Sequence, residues 1–76
     1  MEVKPGIYKH SKKGTEYRVH FVGKNSETLE DMVVYEALYD NPVSKFWVRP
    51  ANMWYEEVEV AGQRVPRFVW LRESDE

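Results

Sequence analysis

Apolar and polar residues alternate with a period of two over several short stretches of this chain, and turn-forming residues separate those stretches. The clearest case is Tyr17-Arg18-Val19-His20-Phe21-Val22, which puts Tyr17, Val19 and Phe21 on one face and Arg18 and His20 on the other. Tyr55 to Val60 repeats the pattern, with Val58 and Val60 inward and Glu57 and Glu59 outward. A tight Ala61-Gly62 turn then leads into a last strand, Val65 to Leu71, in which Pro66 marks an edge or a bulge. Near the start, Ile7 to His10 reads as a short strand after Pro5-Gly6, and Lys12-Lys13-Gly14 turns it back. Phe46 to Arg49 is a strand that must stop at Pro50, and Pro50 to Met53 suits a single 3-10 turn.

Met32 to Tyr39 carries two signals. Thr28 with Asp31 could cap a helix, and Leu29, Met32, Val33 and Glu36 share helical spacing. The β-favouring run Met32-Val33-Val34-Tyr35 and the shortness of the segment decide for a strand with apolar residues on both faces. Short strands at close intervals with turns between them predict a small all-β barrel or sandwich. With 76 residues there is room for one core, so residues 1–71 are expected to form a single domain and residues 72–76 a disordered charged tail.

Composition narrows how such a domain is stabilised. Zero cysteines exclude disulfide staples and thiolate metal sites, leaving apolar packing to do the work. Three Phe, three Trp and five Tyr supply large buried areas for that packing. The net charge of −2 lacks the basic excess usual in proteins that live on phosphate contacts. Charge is unevenly spread, however: residues 1–24 sum to +4 and residues 25–61 to −6. The first residues show no apolar run of signal-peptide length, and no stretch approaches the roughly 18 to 20 apolar residues that span a bilayer. The cytoplasm is therefore the expected location, with no membrane partner.

An ordered series of short motifs runs along nearly the whole chain. It comprises Pro5-Gly6-x-Tyr8-x-His10, Gly14-x-x-Tyr17, Ser26-Glu27-Thr28-x-Glu30, Val33-Val34-Tyr35-x-x-Leu38-Tyr39, Phe46-Trp47-Val48-Arg49-Pro50 and Val65-Pro66-Arg67-Phe68. The series resembles a family of short bacterial proteins known as domain of unknown function 1653. The resemblance implies an SH3-like small barrel of five to six short antiparallel strands with one 3-10 turn, and it implies no activity. The chain departs from the family pattern at Asn25, where a His often precedes the Ser-Glu-Thr run, and at Trp54, where a Phe is usual.

Candidate chemistry is sparse. Ser26 has no nucleophile elbow around it, and Ser26 and Thr28 are expected to hydrogen-bond their own loop backbone. His10 and His20 match no metal-ligand spacing, the four glycines are scattered turn residues, and no cofactor is implied. Binding is better motivated. With Phe46 and Val48 taken as core-facing, Trp47 and Arg49 stand together outside, where they can stack a ring or a proline, and Tyr39 extends the same surface.

Four functional classes follow in order. The first is a non-catalytic protein- or peptide-binding module using Tyr39, Trp47 and Arg49. The second is a single-stranded nucleic-acid binder using Lys9, Lys12, Lys13 and Arg18. The third is a small-ligand sensor built on His10 and the loop that carries Glu27, and an enzyme at that loop comes last. The expected assembly is a monomer or a weak dimer.

Overall fold

The computed structural model describes residues 3–74. Seven strands run in chain order: β1 (Gly6–His10), β2 (Glu16–Lys24), β3 (Asp31–Ala37), β4 (Phe46–Pro50), β5 (Glu57–Val60), β6 (Gln63–Pro66) and β7 (Phe68–Arg72). One 3-10 turn, Ala51–Met53, separates β4 from β5. All pairings are antiparallel, and they make a five-stranded sheet ordered β4-β3-β2-β1-β7 and a separate β5-β6 hairpin. The strand reading of the segment after Asp31 holds, because β-branched Val33 and Val34 suit a pleated surface flanked by partners on both sides.

The expected last strand is broken at Arg67 into β6 and β7, which raises the strand count to seven. Pro66 has no N–H to offer a ladder, and Arg67 N donates to Glu56 O at the crossing point. Arg72, assigned to the tail from sequence, pairs with Ile7 and closes β7. Residues 75 and 76 of that tail lie outside the described residues.

The five-stranded sheet keeps its core on one face. Tyr8, Tyr17, Val19, Val33, Tyr35, Ala37 and Phe68 meet there, joined by Val3 and by Ala51 and Trp54 from around the 3-10 turn. Trp54 has no exposed surface. Its indole stacks on Phe68 at 4.0 Å between centroids and 8° between planes, and it meets Tyr8 and Tyr35 edge to face. Tyr17 meets Tyr35, Tyr39 and Phe68 edge to face as well. Such geometries set the positive ring edge against the negative ring face, adding to the area that burial removes from water.

Two face assignments made from sequence are corrected here. Phe21 does not join Tyr17 and Val19 inside. The β2–β3 register steps from Val19↔Tyr35 to Phe21↔Val34, so His20 is an extra residue and the side-chain phase inverts beyond it. Phe21 is consequently 59% exposed, and Val22 packs on the core in its place. In β4, Phe46 and Val48 face outward and are exposed, while Trp47 and Arg49 take the inner face. Register decides this: Trp47 lies opposite buried Tyr35, and Arg49 lies opposite fully buried Val33.

Candidate functional site

The inversion in β4 turns Trp47 and Arg49 toward a concavity. A cleft of about 230 Å³ lies where the ends of β2 and β3 meet β4 and the turn after β1. Its aromatic lining is Tyr17, Tyr35, Tyr39 and Trp47, and its polar lining is Lys13, Asn41 and Arg49. No carboxylate lines it. Three of the five residues expected from sequence, Tyr39, Trp47 and Arg49, thus come together. The surface they share is a recess in the inner face, not the outside of the sheet.

Local chemistry fixes each member. Trp47 Nε1 donates to Ser44 O at 3.0 Å, which anchors the indole while its ring packs beside the core. Asn41 Oδ1 accepts the backbone N–H of Val43 at 2.9 Å and of Ser44 at 3.4 Å, an Asx turn built by Asn41-Pro42. That pins the amide so that Nδ2 donates to Tyr39 Oη at 3.0 Å. Tyr39 Oη and Tyr17 Oη share a hydrogen bond at 3.0 Å, and Thr15 Oγ1 donates to Tyr17 at 3.0 Å. Burial, foremost, pushes the Tyr17 phenol up to about 12, so it stays protonated through the neutral range. Arg49 reaches across the inner face until its guanidinium carbon lies 5.8 Å from the Phe68 ring centre, a cation–π approach. Its Nε is sealed from solvent without a hydrogen-bond partner.

His10 stands behind this cleft as an organiser. Its Nδ1 accepts the backbone N–H groups of Lys12 at 3.2 Å and Lys13 at 3.1 Å, which places the ring proton on Nε2. The ring sits edge to face on Phe68. Burial and then the positive charges of Lys13, Arg67, Arg49 and Lys12 hold its pKa below the ordinary 6.5. His10 therefore shapes the turn that presents Lys13 to the cleft while remaining neutral.

Glu27 does not join the group. It lies on the exposed loop joining β2 to β3, at the end of that hairpin remote from Tyr39. Lys24 lies seven positions along β2 from Tyr17, roughly 23 Å at strand spacing. The loop satisfies itself, since Asn25 Oδ1 accepts from the backbone N–H of Glu27 and Thr28, and Thr28 Oγ1 accepts from Glu30 N. His20, on the outer face, binds Glu36 and does not approach His10. Among the described residues no group of three or more His, Cys, Asp or Glu could hold a metal ion. No helix among them is long and apolar enough to cross a membrane.

Sequence reasoning missed Tyr17, Tyr35 and Asn41 as members of this cleft, and it placed Lys13 on a basic surface for nucleic acid instead. The period-two pattern files the two tyrosines as core, which they also are, and the turn that holds Lys13 carries no sign that it faces Tyr39 and Trp47. Only Asn41-Pro42 carried a local signal, through its turn chemistry. A wider and more apolar depression of about 540 Å³ lies between the β5–β6 hairpin and β7, bordered by Val60, Val65, Val69 and Leu71, with Lys9 at its margin.

Comparison with known proteins agrees with this architecture. Residues 6–70, running from β1 into β7, match the family described as "Protein of unknown function (DUF1653)". A crystal structure of a protein belonging to that family from Bordetella bronchiseptica superposes with a TM-score of 0.87 at 29% sequence identity, covering 99% of this chain and 95% of that one. A search of curated proteins returns no match. With the ordered motifs, the strand topology and the family match in accord over nearly its whole length, the chain belongs to the DUF1653 family, whose description assigns no activity.

Proposed function

We propose that this domain is a non-catalytic, cytoplasmic protein- or peptide-binding module that seats one side chain of an extended partner segment in the Tyr39–Trp47–Arg49 cleft. The observation that carries the reading is the convergence of those three residues with Tyr17 and Tyr35 on a single recess. Ring faces beside a guanidinium suit an apolar or aromatic group that also carries polarity. A volume of about 230 Å³ falls below the roughly 300 to 1,000 Å³ of pockets that swallow whole small molecules, which favours one residue of a larger partner. Catalysis finds little support, because the cleft pairs no nucleophile with a base and Tyr17 is pushed away from titration near neutral pH. A nucleic-acid track is less well supported: Arg18 is engaged by Glu36 on the outer face, and Lys9 borders a different depression.

The test is selection from a displayed random hexapeptide library, followed by amide-shift mapping of the selected peptides on labelled protein. Shifts should cluster at residues 39–49 and at the Trp47 indole. Trp47→Ala should keep a dispersed amide spectrum and lose the selected peptides. Shifts confined to residues 9–18, or loss of the fold in Trp47→Ala, would defeat the reading.

A further inference from the structure

Resting on that reading, we propose that the cleft is a carboxylate receptor: Arg49, Lys13 and one phenolic proton of the Tyr17–Tyr39 pair converge on an acidic group of the bound peptide. The argument is a count of protons. Thr15 donates to Tyr17, and Asn41 donates to Tyr39 with its amide orientation fixed by the two backbone donors on Oδ1. The two phenols then share a single hydrogen bond, which consumes one of their two protons. Whichever phenol donates, the other has accepted twice and holds a proton with no acceptor in the network. The second Nδ2 hydrogen of Asn41 is likewise uncommitted.

Charge points the same way. Among the described residues neither Arg49 nor Lys13 has a carboxylate partner, and no acidic side chain lines the cleft. Lys24 pairs with Asp31, Arg64 with Glu57 and Arg72 with Glu16, whereas among the described residues Lys4, Lys9 and Lys12, like Lys13, have no carboxylate partner. It is the enclosure of Arg49 in a carboxylate-free recess that sets this cleft apart. The sealed Nε of Arg49 leaves the terminal nitrogens as its free edge, a two-toothed match for the two oxygens of a carboxylate. A doubly cationic recess with uncommitted donors, no carboxylate and walls of aromatic rings is complementary to an anion attached to an apolar body. The carboxylate can come from a peptide C-terminus or from an Asp or Glu side chain.

The experiment titrates labelled protein with three acetylated tripeptides: Ala-Ala-Phe as free acid, Ala-Ala-Phe amide, and Ala-Glu-Phe amide. Benzoate and phenyl phosphate serve as minimal anions. At least one acid-bearing tripeptide should shift the amides of residues 13, 39, 41, 47 and 49 and bind about tenfold tighter than the neutral amide. Which one does so identifies the source of the carboxylate. Arg49→Gln should erase the preference for acid. Tyr39→Phe, at an exposed ring, should weaken the acid several-fold and leave the neutral amide unchanged, and it carries the test should Arg49→Gln unfold. Equal binding of acid and amide at the cleft would overturn the carboxylate assignment and leave the peptide-binding reading standing. Phenyl phosphate outcompeting benzoate would also overturn it. No shift at the cleft with any probe would remove both.

Discussion

Gly6 sits at φ +140°, where an L side chain is strained, and a Cβ built there would come within 2.5 Å of Trp70 Nε1 and 2.7 Å of the Arg72 carbonyl oxygen. The backbone of β7 cannot give way cheaply, because Arg72 is in register with Ile7 and Trp70 Nε1 donates to Pro5 O. Gly6→Ala should therefore cost more than about 2 kcal/mol, read as a lower urea midpoint. The pairing of Pro5 with Gly6 announced a turn in the sequence. That the missing side chain makes room for a tryptophan 64 residues onward did not, since nothing local encodes a contact between β1 and β7. Trp47 and Arg49 teach the same lesson. In Phe46-Trp47-Val48-Arg49 both phases contain an apolar residue, so period two is satisfied either way, and only the register against Tyr35 and Val33 selects the inner pair.

At the level of strands and turns, the β5–β6 hairpin closes through Ala61 at φ +53° and Gly62 at φ +81°, both left-handed, as a two-residue primed turn requires. Alanine tolerates that conformation poorly, whereas asparagine is favoured at the first position. Ala61→Asn should stabilise the domain by about 0.5 to 1 kcal/mol in denaturant unfolding, and slower amide exchange across β5 and β6 should accompany it. On the outer face of the large sheet, Glu36 gathers Arg18 at 3.2 Å, His20 at 2.8 Å and Lys45 at 3.3 Å, tying β2 and β3 to the approach to β4. Glu36→Gln would crowd those cations without their counter-charge, and a loss of about 2 kcal/mol is expected from urea melts at neutral pH. Turn positions and strand identities were readable from residue type, the 3-10 turn after Pro50 included. The bulge at His20 was not, because an inserted residue in a strand has no compositional mark, and it inverted the faces read for the rest of β2, Phe21 and Val22.

For the molecule as a whole, pH should act from both sides. His10 is held below 6.5 by burial first and by its cationic neighbours next, so as pH falls through 6.5 the unfolded chain takes up a proton that the native ring refuses, and stability declines. Glu36 adds a second stage. The His20 hydrogen bond is the chief cause of its lowered pKa, so below the ordinary 4.5 the unfolded carboxyl is protonated while the native one stays ionised, until pH passes the depressed native value. On the alkaline side, burial raises Tyr8 and Tyr17 above their ordinary 10.0, and unfolded phenols ionise before native ones. Urea midpoints should form a plateau between about pH 6.5 and 10, with a shoulder toward acid that His10→Gln removes. A midpoint that rises on acidification through 6.5 would contradict the buried, neutral His10. Fold class and the succession of strands along the chain were legible because burial of alternate residues is a one-dimensional signal. The cleft was legible only in part, because a recess is made by strands whose relative placement the linear pattern leaves open.

The three indoles occupy three different solvent regimes: Trp54 without exposed surface, Trp47 half-buried beside the cleft, and Trp70 half-buried beneath the Lys4 ammonium at 3.8 Å from its ring. The domain thus carries its own fluorophores. A blue-shifted emission from Trp54 should vanish only on global denaturation, whereas intensity changes from Trp47 should track occupancy of the recess at native temperature, so ligand screening can proceed by intrinsic emission without any dye or tag.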